Sequence, residues 1–210
     1  MVIIPDYYRG KICDVTKENF DTIMAFLKTE SVWEGKLKED WEKSICPYAT
    51  KNGATSFGTI GNEQIMFLSF QRLRISFFCY KSNLNNSFYD RLGFCWGSYP
   101  VVRLSADPRV KAGVSMHPSH PKVCEQLQED EEAILKDIKC PQFFLPADGD
   151  SPTTKFGGIG KKVLGDALEI VEFPEMQHGW SIRGDLSEPK VERDVKKAFN
   201  LTLAFFKKYL

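Results

Sequence analysis

The sequence predicts one α/β domain: a mostly parallel sheet with helices on both faces. Three observations carry that reading. Short apolar or β-branched runs such as Val2-Ile3-Ile4, Ala54 to Gly61, Val110 to Met116 and residues 142 to 147 have the length of buried strands, and stretches with helical apolar spacing lie between them. The pentapeptide Gly93-Phe94-Cys95-Trp96-Gly97 has the form of a tight turn carrying a nucleophile from a strand into a helix. Acidic residues at the end of one late strand and a histidine after the next then follow Cys95 in the chain. Nucleophile, acid, histidine is the chain order of an α/β-hydrolase.

A chain of 210 residues buries a sizeable core as one domain, residues 1 to 210, and would be cramped as two. Its 28 basic and 28 acidic residues cancel, and neither a Lys/Arg block nor an aromatic-basic stripe occurs. The electrostatic footprint of nucleic-acid binding is therefore missing, and the expected partner is a small, uncharged-to-anionic molecule. No apolar run approaches the roughly 18 residues of a membrane span, and the amino end lacks the basic n-region of a signal peptide. The expectation is a cytoplasmic protein with no membrane partner, a monomer or weak homodimer. Cys13, Cys46, Cys79, Cys95, Cys124 and Cys140 form no C-x-x-C pair, so neither a metal site, a cofactor nor a redox motif is suggested, and five of the six are expected to be packing thiols.

Along the chain, Val2-Ile3-Ile4 reads as a buried parallel strand ending at Pro5. Thr16 is placed to cap a helix with Phe20, Ile23, Met24 and Leu27 on one face, and residues 35 to 51 read as a second, polar helix. Ala54 to Gly61 has the composition of a central strand, followed by the Phe-, Ser- and Asn-rich residues 62 to 92. After the pentapeptide come a short helix over Ser98 to Ser105, a strand over Val110 to Met116, an acidic amphipathic helix over Glu125 to Lys139, strands at 142 to 147 and 168 to 173, and a closing helix over Pro189 to Leu210. His117 and His120 flank Pro118 in a loop and are expected to border the pocket mouth rather than hold a metal.

Cys95 is the candidate nucleophile, since a thiol at a helix N-terminus has its thiolate favoured by the unpaired N–H groups there. His178 is the candidate base, because its unperturbed pKa lies nearest neutral and Gly179 permits the loop to turn it back toward Cys95. Asp150 and Asp148 compete to orient that ring. The Trp96 N–H, directly after the nucleophile, is expected to donate to an oxyanion.

The segments Ile4 to Gly10, Gly93 to Ser98 and His178 to Asp185 resemble the dienelactone hydrolase (carboxymethylenebutenolidase-like) family of α/β-hydrolases. The resemblance implies an α/β-hydrolase fold and a Cys-Asp-His triad of Cys95, Asp150 and His178 that opens small esters or lactones. It favours Asp150 over Asp148 by distance from the strand, and it implies that Arg9 and Arg183 hold a substrate carboxylate. Against the family pattern, the chain is expected to lack the first strands and the loop that supplies the second oxyanion donor. Residues 62 to 92 are expected to be an atypical insertion before the elbow, either a lineage-specific excursion or a translated intron. Two functions stay open: a cysteine hydrolase of small esters or lactones, and a catalytically impaired product of a truncated or mis-spliced chain.

Overall fold

The computed structural model describes residues 2–3, 20–30, 32–61, 66–69 and 96–210. Six strands form one sheet: β1 (Val2–Ile3), β2 (Ser56–Gly61), β3 (Met66–Ser69), β4 (Val110–Met116), β5 (Gln142–Leu145) and β6 (Leu168–Ile170), in the order β1-β3-β2-β4-β5-β6. The four strands β2, β4, β5 and β6 run parallel, as expected of an α/β fold. The first strand differs from the sequence reading. Val2–Ile3 is an edge strand antiparallel to β3, with Val2 opposite Phe67 and Ile3 opposite Met66, because β3 lies between it and β2. Part of the stretch that reads as an insertion is thus a strand of the sheet, and the remainder of 62 to 92 lies outside the described residues.

The helices are α1 (Phe20–Glu30), α2 (residues 36 to 51), α3 (Ser98–Leu104), α4 (His120–Leu127), α5 (Glu131–Lys136), α6 (Ile159–Leu164), α7 (Trp180–Arg183) and α8 (Pro189–Tyr209). Helix α2 is not polar throughout, since Leu37, Trp41, Ile45 and Ala49 recur every four residues on a buried stripe. The single acidic helix expected at 125 to 139 is two helices. Gln128 takes a left-handed conformation that ends α4, and Asp130 caps α5 by accepting the N–H groups of Glu132 and Ala133. Its inner face is core, with Ile134 and Leu135 buried.

Side chains alternating along each strand divide the core between two faces. From β5, Phe144 packs among residues of α2 to α5, whereas Phe143 and Leu145 pack against α7 and α8 on the other side. Strand β4 is buried on both faces from Ala112 onward, with Ala112, Val114 and Met116 on one and Gly113 and Ser115 on the other, while Lys111 is exposed. Gly113 has no room for a side chain because the buried Gln142 amide lies over it, donating from Nε2 to Ser105 Oγ at 3.0 Å. Pro189 opens α8 at a position where a missing N–H costs nothing, and Ala198, Thr202, Phe205 and Phe206 form its inner face. Helix α3 packs against β2 and β4, which sets the residues after Cys95 at the carboxyl end of the parallel strands. Ligands of open α/β sheets bind at that end.

Candidate active site

Two loops at the carboxyl ends of β5 and β6 meet. After β5 the chain turns at Ala147 to Asp150, made possible by Gly149 at φ 72°. Within the turn the Ala147 N–H donates to Asp150 Oδ2 at 2.7 Å and the Asp150 N–H donates to the Ala147 carbonyl at 3.3 Å. The Asp148 N–H reaches across to the Met176 carbonyl at 2.9 Å, which ties the turn to the loop holding His178. That loop is braced by the Phe173 N–H on the Pro146 carbonyl at 2.9 Å and by the Phe173 ring against Trp180, centroids 4.5 Å apart.

The tethers bring Asp150 Oδ1 into a hydrogen bond with His178 Nδ1. The Asp150 side chain is 2% exposed and that of His178 31%, so a buried carboxylate holds a ring whose far edge reaches the surface. Asp148 is exposed and takes no part in this contact. With one oxygen committed to the Ala147 N–H and the other to Nδ1, Asp150 keeps the ring proton on Nδ1 and leaves Nε2 as the basic nitrogen.

Beside the His178 ring stand two residues of the turn between β4 and α4. Ser119 Oγ lies 3.5 Å from His178 Nε2. The His117 ring meets the His178 ring edge-on, centroids 5.1 Å apart, and its Nε2 is 2.7 Å from Ser181 Oγ. Burial, reinforced by the charges of His178 and Arg183, pushes the His117 pKa down to about 3, so this second imidazole is neutral at pH 7 and adds no charge beside His178. Ser98, fully buried at the start of α3, accepts the N–H groups of Ser119 at 3.0 Å and His120 at 2.8 Å, tying the β4–α4 turn to the helix that follows Trp96.

The dienelactone hydrolase family model matches residues 1–210. The chain belongs to that family. It is also similar to Hydrolase tropI of Talaromyces stipitatus, 28% identical over 126 residues that make up 57% of this chain and 45% of that protein. The chain thus spans a little under half the length of this curated relative. No solved structure matches it.

Of the residues that the dienelactone hydrolase resemblance implies, Asp150 and His178 are brought together, and Trp96 is buried just ahead of α3. Cys95 and Arg9 lie outside the described residues. Arg183, half-buried on α7, donates from Nη2 to the His178 carbonyl at 3.2 Å, so part of its guanidinium supports the histidine loop. His120 differs from the sequence expectation. It is 1% exposed, with its ring against Phe144 at 5.3 Å and its Nε2 3.3 Å from Glu131 Oε1, so it is buried at the start of α4 rather than at a pocket mouth. Sequence reasoning missed Ser119 and Ser181, and it read Ser98 only as a tolerated small residue. The signal for Ser98 was available: a hydroxyl where an elbow helix usually has glycine invites a search for the donors it accepts. Cys46, Cys124 and Cys140 are buried packing thiols; burial, with Glu129 and Glu131 nearby, pushes Cys124 up to about 12. Among the described residues no helix is long and apolar enough to cross a membrane.

Proposed function

We propose that this chain is a hydrolase of small carboxylic esters or lactones, dienelactone hydrolase-like, acting through Cys95, Asp150 and His178. The observation that carries the reading is the buried Asp150 bonded to His178 Nδ1, with Nε2 3.5 Å from the hydroxyl of Ser119, whose backbone N–H donates to Ser98 at the start of α3. In this mechanism His178 Nε2 takes the Cys95 proton. The thiolate attacks the ester carbonyl, and the oxyanion so formed accepts the Trp96 N–H at the amino end of α3. Collapse expels the alcohol, or the enol oxygen of a lactone, leaving an acyl group on the sulfur, and water then releases the acid. Arg9 and Arg183 offer guanidinium groups to a substrate carboxylate. The balanced charge supports a small-molecule partner and no nucleic acid, and the reading needs neither metal nor cofactor. A cytoplasmic monomer or weak homodimer completes the proposal.

Turnover of p-nitrophenyl acetate tests it. Cys95→Ala and His178→Ala should each lower the rate by about 100-fold or more while the far-ultraviolet circular dichroism stays unchanged. Full turnover by either variant would move the chemistry to another site. Loss of nothing because the wild-type chain itself is inactive would favour the impaired-product reading. That reading has one structural observation behind it: β3 separates β1 from β2, the strand that precedes the elbow in the parallel sheet.

A further inference from the structure

Ser119 sits where its type predicts a different occupation. It is the N-cap of α4, a position at which serine usually accepts an N–H from the first helical turn, yet its side chain makes no such bond. The hydroxyl instead faces His178 Nε2 at 3.5 Å. Its backbone is held from the other side by Ser98 Oγ, which accepts the N–H groups of both Ser119 and His120. Ser98 is three residues beyond Cys95 in sequence, so one bridge ties Ser119 to the start of α3 while its hydroxyl faces His178.

The arrangement is unsuited to a second nucleophile. An attacking hydroxyl needs adjacent donors for the oxyanion, and the two nearest N–H groups are already spent on Ser98 Oγ. A hydroxyl that is both donor and acceptor, 7% exposed and beside the basic nitrogen, is suited to hold a water there.

We propose that Ser119 is the positioning residue for the hydrolytic water of the deacylation step. The inference rests on the proposed Cys95 acyl-enzyme. While Cys95 is a thiol, its proton is the one that His178 Nε2 must take; once the sulfur is acylated, Nε2 is released to a water. That water donates one proton to Nε2 while Ser119 Oγ holds it by a second hydrogen bond, aimed at the acyl carbon. The water oxygen forms the new C–O bond, the C–S bond breaks, and the proton taken by His178 passes to the departing Cys95 thiolate. The product is the carboxylic acid with Cys95 restored as a thiol, so atoms and electrons balance without a further reactant.

The consequence is a selective defect: Ser119→Ala should slow deacylation and leave acylation intact. Wild type and Ser119→Ala are each mixed briefly with p-nitrophenyl acetate, passed through a desalting column, and followed by intact mass and peptide mapping. The expected result is an acetyl adduct on the Cys95 peptide in both proteins, formed at equal rates and decaying about fivefold to tenfold more slowly in Ser119→Ala, the loss expected for one neutral hydrogen bond. Ser119→Thr, which keeps the hydroxyl, should restore most of the decay rate. An adduct on Cys95 with equal lifetimes in wild type and Ser119→Ala would overturn the Ser119 role alone. Equal slowing of formation and decay would also overturn it, as a purely structural effect. An adduct found on Ser119, or none on Cys95, would overturn the Cys95 reading and this inference with it.

Discussion

Asp150→Asn should lower aryl-ester turnover by about 1,000- to 10,000-fold, while Asp148→Asn changes it by less than about threefold. The reason lies in the two oxygens of Asp150. The Ala147 N–H at 2.7 Å requires an acceptor, so the carbonyl oxygen of an introduced Asn takes that position and its NH2 group faces His178 Nδ1. Two donors cannot share a hydrogen bond, so the ring proton moves to Nε2 and the base is lost without any change of backbone. Asp148 contributes only its backbone N–H to the Met176 carbonyl, which Asn retains. Steady-state kinetics on the two variants check this, with thermal melting to show that both remain folded. A large loss in Asp148→Asn with normal Asp150→Asn would assign the acid wrongly.

The second large effect comes from a glycine. Gly179, directly after His178, has φ 88°, and a Cβ built on it would overlap the Nη2, Cζ and Nε atoms of Arg183. Two penalties therefore coincide in Gly179→Ala: a left-handed backbone for a residue with a Cβ, costing about 1–2 kcal/mol, and displacement of a guanidinium that holds the His178 carbonyl at 3.2 Å. Stability should fall by about 1–3 kcal/mol. Turnover should fall by about 100-fold, because a shift of about 1 Å in a catalytic group costs that much. Adding Arg183→Ala removes the overlap but leaves the backbone strain and the lost carbonyl contact, so the double variant should recover only part of the stability. A Gly179→Ala protein with wild-type melting temperature and turnover would show that this loop does not constrain His178.

The parallel half of the sheet was legible because its strands are short, mostly apolar or β-branched runs, as Val110 to Met116 is with all but Lys111 buried. That Asp150 and His178 lie on neighbouring loops was legible for a related reason: each follows a late parallel strand, and a turn glycine adjoins each, Gly149 and Gly179, both at positive φ. Strand β3 was not legible. Met66 to Ser69 lies in a stretch without alternation, and its pairing with β1 and β2 is set by partners far off in sequence. The break between α4 and α5 was hidden because Gln128 is an ordinary helix former; only the cap at Asp130 marks the restart. Ser119 was missed as a site residue because a helix N-cap is the common fate of its type, and His117, expected at the pocket mouth, is fully buried instead. Only the folding of β4 beside α3 puts both next to His178.

The central claim is that Cys95 is a thiolate-forming nucleophile served by His178, and competitive alkylation tests it most directly. Native protein is treated with limiting iodoacetamide at neutral pH and each cysteine peptide is quantified over time, in wild type and in His178→Ala. The account predicts that Cys95 is labelled first in wild type, since the amino end of the helix and His178 both favour its thiolate, whereas Cys124 and Cys140, buried with raised pKa values, label last. It also predicts that Cys95 loses that lead in His178→Ala. Labelling of Cys95 no faster than the other five thiols, or a lead that persists unchanged without His178, would contradict it.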